Sequence, residues 1–259
     1  MRICRVLIAL LGFLPCTMKA TTSFCVPDTL TNYATGGFSC AIGDKTFGSF
    51  EFAISSLAGT PASASAIMVV PGGTSLDPSF SFQAAYLVSG LASSETVTVS
   101  YTGTAPANSP FISDNLSLTG ATVTGLGAIT AAEALCLNGS FSAVTLPLVC
   151  SSGVSVDLGL VASISNGNLG STITFNFNPV TTLGVVKQIT LTGALGSTAA
   201  ASSLNNQLTA IPEPSSLLLC LLGAGFMGRC AGSAFDPRRR SVSDPRKRDP
   251  LTDGISPGG

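Results

Sequence analysis

Eight cysteines and no histidine limit the chemistry open to this chain. Without an imidazole, a serine or cysteine nucleophile lacks its usual general base, and zinc lacks its commonest nitrogen ligand. The cysteines show no Cys-x-x-Cys spacing, so no metal site and no cofactor are expected. Cys4 and Cys16 fall in an N-terminal leader, and Cys220 and Cys230 fall in and just after a C-terminal apolar run. Cys25, Cys40, Cys136 and Cys150 remain in the body, and an even set in an exported domain reads as disulfides. Nearest-neighbour pairing gives Cys25–Cys40 and Cys136–Cys150, each closing a loop of about 15 residues; other pairings stay open.

The remaining candidates are carboxylates and tyrosines. Glycoside hydrolysis needs only two acids, so Asp44, Glu51, Glu95 and Glu133 qualify by type. None lies in a charged or aromatic-rich stretch, and there is no tryptophan to stack on a sugar. Ordinary surface acids account for them, and Asp44 reads as a turn aspartate rather than a calcium or sugar ligand. The expectation is therefore that the protein is not an enzyme. Tyr33, Tyr86 and Tyr101 are the one candidate binding platform. Clustered exposure of these rings would favour binding, and burial would favour a structural role.

The elements that must position these residues are short strands. Period-2 apolar alternation runs through residues 49–54, 95–101, 171–178 and 187–193, and less cleanly through 112–118, 121–126 and 154–162. Gly, Pro, Asn and Asp punctuate them, as at Pro71-Gly72-Gly73 and Asn166-Gly167-Asn168. The pattern predicts an all-β, antiparallel β-sandwich or jelly-roll-like ectodomain over 21–193. Residues 25–50 read as a disulfide-clamped turn, with Phe47, Phe50 and Phe52 entering the core. A brief helix is predicted at 131–137. Residues 194–210 are small and polar, and read as a linker.

Charge is distributed unevenly. Between residues 21 and 210 only Lys45 and Lys187 oppose eight acids, a net charge of −6. That balance argues against nucleic acid as a partner. Residues 1–20 carry Arg2 and Arg5, then an apolar stretch at 6–14, which is a signal-peptide pattern with cleavage between Ala20 and Thr21.

At the other end stands IPEPSSLLLCLLGAGFMGR, residues 211–229. Pro212 and Pro214 hold the chain around Glu213 stiff and extended. The apolar run that follows reaches only about 14 residues with its small shoulders, against the roughly 20 that span a bilayer comfortably. Arg229 follows at once. A buried core helix of that length would not need the arginine-rich flank. Residues 230–259 have no apolar period and read as a basic disordered tail under the positive-inside rule.

This order of tripeptide, apolar run and arginine resembles the PEP-CTERM sorting signal of exported bacterial proteins. The resemblance assigns recognition to Pro212, Glu213, Pro214 and Arg229, and implies a single C-terminal transmembrane helix. It implies an exosortase-type sorting enzyme and the membrane as partners, with exopolysaccharide as a further one. The function it implies is that of a non-catalytic cell-surface or extracellular matrix protein. The alternative is a polysaccharide- or protein-binding surface module.

Overall fold

Alternating Thr, Val and Ser residues build this molecule. In the stretch Ser94–Thr104, Val97, Val99 and Tyr101 face the core while Thr96, Thr98 and Ser100 take the other face. β-branched residues suit that pleated, half-buried arrangement.

The computed structural model describes residues 23–58, 61–145, 148–165 and 172–213, with the backbone alone for 157–165. In chain order the elements are β1 (Asp28–Thr29), the single-turn helix α1 (Leu30–Tyr33), β2 (Ser39–Ile42), β3 (Lys45–Leu57), a 3-10 turn (Ala64–Ala66), β4 (Met68–Gly72) and β5 (Ser79–Ser89). There follow β6 (Ser94–Thr104), β7 (Phe111–Thr119), β8 (Thr122–Thr124), β9 (Ala128–Leu137), β10 (Val154–Ser165), β11 (Thr172–Val180), β12 (Thr182–Thr192) and β13 (Thr198–Ala210). One sheet has the order β1-β4-β5-β13-β7-β11, with β8 beside β13. The second has the order β10-β9-β12-β6-β3-β2. The strand pairs within both are antiparallel.

The inner faces of the two sheets share one hydrophobic core, a β-sandwich. Its centre is aromatic. Phe47, Phe50 and Tyr101 of the second sheet meet Phe80 of the first, with ring centroids 4.9, 5.6 and 5.4 Å apart. Each buried Phe contributes about 1.5–3 kcal/mol relative to exposure. Phe47 and Phe50 are three residues apart yet both face inward, because β3 bulges at Ser49, whose φ is +53°. Phe52, expected in the core, is more than one-third exposed.

Two sequence expectations are overturned. Residues 131–137 are not a helix but the heart of β9, held on both sides by β10 and β12. Alanine favours helix, but sheet pairing on two flanks decides the outcome. Residues 194–210 are not a linker: they contain β13, which lies between β5 and β7 in the middle of its sheet. Leu204 and Leu208 face inward from it, and several of its other inward residues are small where their direct partners are large. Ala201 lies opposite Tyr86, Asn206 opposite Phe80 and Ala210 opposite Phe111.

The chain divides into two units after Glu213. The expected signal peptide with Ala20 and Thr21, the apolar run, Pro214, Arg229 and the tail all lie outside the described residues. Among the described residues no helix is long and apolar enough to cross a membrane.

Candidate functional site

The described part of the sorting tripeptide begins where the last strand leaves its sheet. Ala210 N donates to Leu76 O at 2.7 Å, and Ile211 N donates to Pro110 O at 2.9 Å. Ile211 O accepts from Ser109 Oγ at 2.7 Å, and Ser109 Oγ accepts from Lys45 Nζ at 2.8 Å. Lys45 is wholly buried and pairs with Asp44 Oδ1 at 2.6 Å. Asp44 is therefore a turn residue answering a buried lysine. Pro212, with no N–H, cannot extend the ladder. It is exposed, and Glu213 beside it is half-buried. No slack separates the sandwich from Pro212-Glu213.

The disulfides sit at two places. Cys25–Cys40, with Cα atoms 4.8 Å apart, ties the entering chain to β2, where Cys25 N also donates to Ala41 O. Cys136–Cys150, with Cα atoms 5.5 Å apart, closes the loop that follows β9. That loop carries Val144, Thr145 and Leu148 against the outer face of the second sheet, and walls a groove of about 590 Å³. Its floor is Ala53, Ser55, Thr96, Thr98, Val186 and Gln188. Gln188 Nε2 donates to Thr98 Oγ1 at 3.1 Å, and Thr96 and Thr190 share a hydroxyl hydrogen bond of 3.2 Å. The groove offers methyls, hydroxyls and one amide. Glu133 contributes to its floor but has its carboxyl in the core.

The expected binding platform does not exist. Tyr33, Tyr86 and Tyr101 are each no more than 2% exposed. Their hydroxyls donate inward, Tyr33 to Val26 O at 2.8 Å, Tyr86 to Phe82 O at 3.2 Å and Tyr101 to Asn206 Oδ1. Burial raises all three phenol pKa values, that of Tyr33 to about 12 with the nearby Asp28 charge adding to it.

The four candidate acids are not brought together as a catalytic pair. Glu51 is exposed, and Glu95 is buried and accepts from Ala62 N at 2.9 Å. Glu133 instead meets Lys187 and Asp114 between the sheets. Lys187 Nζ donates to Glu133 Oε1 and lies 3.9 Å from Asp114 Oδ2. Asn206 Nδ2 donates to Asp114 Oδ1, whereas Asp114 Oδ2 has no hydrogen-bond partner. Burial pushes the Glu133 carboxyl well above its ordinary range; the Lys187 charge pulls it back, and Asp114 pushes it up again. Sequence reasoning missed this cluster, although each member sits in an apolar phase: Val99–Tyr101, Asp114–Leu116, Ala131–Glu133–Leu135, Val185–Lys187–Ile189 and Leu204–Asn206–Leu208. With Lys45 and Lys187 both buried, the surface of the described residues carries no cation. Among the described residues no three metal-ligating side chains gather.

A family model of the PEP-CTERM protein-sorting motif matches residues 210–239. No curated protein matches the chain. Among solved structures, the chain is similar to TmCBM61 in complex with beta-1,4-galactotriose, with 10% identity and a TM-score of 0.28, covering 60% of this chain and 86% of that one. It is also similar to the enzymatically active domain of tailspike protein 4 of bacteriophage CBA120, with 9% identity and a TM-score of 0.26, covering 62% of this chain and 19% of that one. Neither likeness is close enough to carry an argument.

Proposed function

We propose, from the premise that this chain carries a PEP-CTERM protein-sorting motif, that it is a non-catalytic exported protein of the cell surface or extracellular matrix. An exosortase-type enzyme reads Pro212, Glu213 and Pro214 and delivers the β-domain. The observation that carries this reading is positional: the motif match begins at residue 210, the last residue of β13. The folded cargo thus ends where the sorting signal starts. The strand order supports a jelly-roll reading of the domain: β5, β13, β7 and β11 are consecutive in one sheet, and β6, β12, β9 and β10 lie side by side in the other.

The test is the intact mass of protein recovered from a host that contains an exosortase. A product lacking residues 1–20 and the segment after the Pro-Glu-Pro tripeptide is the expected result. A C-terminus retained through residue 259 overturns the sorting reading.

The second reading, a binding module, has one observation in its favour, the groove under the Cys136–Cys150 loop. Its uncharged lining of methyls, hydroxyls and one amide suits an uncharged polymer with apolar and hydroxyl faces, such as a polysaccharide. Leu148→Asp, at the groove wall, would then abolish retention of the domain on its matrix polysaccharide. Unchanged retention removes the groove from consideration.

A further inference from the structure

Three ionisable groups lie wholly buried at the centre of the sandwich: Lys187 on β12, Glu133 on β9 and Asp114 on β7 of the opposite sheet. One amine faces two carboxyls there. Lys187 and Glu133 are direct cross-strand partners, whereas Asp114 reaches them from across the core. Two carboxylates with a single cation leave one negative charge unmatched, and an unmatched buried charge is costly. The site is neutral overall only if one carboxyl keeps its proton. Asp114 Oδ2, buried and without a hydrogen-bond partner, lies 3.9 Å from the amine.

We propose that Lys187 and Asp114 condense to an intramolecular amide that joins the two sheets covalently, with Glu133 carrying the proton. The balance starts from the neutral arrangement: ammonium Lys187, carboxylate Glu133 and carboxylic acid Asp114. Glu133 takes a proton from Nζ, to which it is already hydrogen-bonded. The free amine pair then attacks Cγ of Asp114, forming the C–N bond. Negative charge develops on Asp114 Oδ1, which already accepts from Asn206 Nδ2. A donor fixed at a developing oxyanion is the arrangement that stabilises acyl transfer. Asn206 is itself positioned by the Tyr101 hydroxyl. The amine nitrogen loses a second proton to Glu133 as Glu133 passes its first to Oδ2. The Cγ–Oδ2 bond breaks and one water leaves. The products are an amide, one water and Glu133 as a neutral carboxylic acid. No oxidant or cofactor enters.

Four features of the site favour the reaction. All three groups are buried from solvent, which favours an amine and a carboxylic acid over their ionised forms. Fixing the reacting groups side by side removes the entropic cost of their encounter, an advantage that reaches about 10⁵ M or more in effective concentration. Condensation also removes the ions from the core. The upward push that burial gives Glu133 suits an acid that must hold a proton between transfers.

Trypsin provides the test, because Lys45 and Lys187 are the sole Lys or Arg residues between positions 21 and 210. The full chain, purified from an exporting host, is unfolded, reduced and digested. The expected result is cleavage after Lys45 and none after Lys187, with the fragment that begins at Thr46 lighter by one water. Clean cleavage after Lys187, with both peptides at their unmodified masses, overturns the proposal, and the wild type alone decides this. A fragment lighter by one ammonia would place the acyl carbon on Asn206 and overturn the assignment to Asp114. In Asp114→Ala the water loss is expected to vanish; its persistence would mean that Glu133 is the acyl donor. In Glu133→Gln, folded as judged by circular dichroism, cleavage after Lys187 is expected to return. Condensation undiminished in that variant removes Glu133 as the proton carrier.

Discussion

Tyr101 of one sheet donates its hydroxyl hydrogen to Asn206 Oδ1 of the other, a polar tie between the sheets beside the buried Lys187, Glu133 and Asp114. Tyr101→Phe keeps the ring and its packing against Phe50 but leaves a buried amide oxygen unpaired. The expected loss is about 1–3 kcal/mol, the cost of an unsatisfied buried acceptor. Urea unfolding would register it as a lower midpoint with an unchanged slope. A midpoint equal to that of the wild type would mean that Asn206 finds another donor.

All three tyrosines are buried, and the chain has no tryptophan, so phenol absorbance reports the fold directly. The Tyr33 pKa is about 12 in the folded state, against an ordinary 10.0. Between those values the unfolded chain binds fewer protons, so stability falls as pH rises through that window. The native protein is expected to show no phenolate band at the ordinary tyrosine pKa. At higher pH the band should appear together with loss of near-ultraviolet dichroism. A gradual titration with intact dichroism would contradict the burial.

Replacing both Cys136 and Cys150 by Ser opens the loop that walls the groove. The chain-entropy model gives about 3 kcal/mol for a loop of this size. The double variant should unfold earlier in denaturant by that amount. Protease cleavage within residues 138–149 should quicken in the otherwise native protein. If cleavage there is unchanged, hydrogen bonds such as Ser151 N to Ser140 O and Ser142 N to Val149 O hold the loop unaided.

Ser109→Ala removes the donor to Ile211 O and a partner of the buried Lys45 ammonium. Losing a hydrogen bond of about 1 kcal/mol should speed amide exchange at Ile211 roughly fivefold. Hydrogen exchange by mass spectrometry, read on peptides that end near residue 213, measures it. Equal rates would show that the Pro110 carbonyl alone secures the exit.

The legible parts of the fold were those with bulky alternation. β6 and β12 announce themselves through Val97-Val99-Tyr101 and Val185-Lys187-Ile189-Leu191. β13 does not, because Ala199, Ala201 and Asn206 face inward beside large neighbours, and small residues in the correct phase look like a linker. β9 was hidden by its alanines. The sorting tripeptide was legible because a linear signal needs no fold. The inter-sheet cluster was legible in principle: a lysine or a carboxylate at an inward phase must find a partner there. The partner cannot be named from one strand, because Asp114 and Lys187 meet only when the sheets close. The groove needs the 136–150 loop to fold back on Thr96 and Gln188, and no local pattern states that.

The position of β13 also sets an order of events. A chain made from its N-terminus presents β5 and β7 long before residues 198–210 arrive to lie between them. Until then both strands face a gap, with unpaired N–H and C=O groups that invite pairing with other chains. The first sheet therefore closes only when the stretch leading directly into Pro212 has emerged. Completion of the cargo and presentation of its sorting signal fall at the same moment. An incomplete chain would reach its destination, if at all, as an open sheet rather than a weakened sandwich.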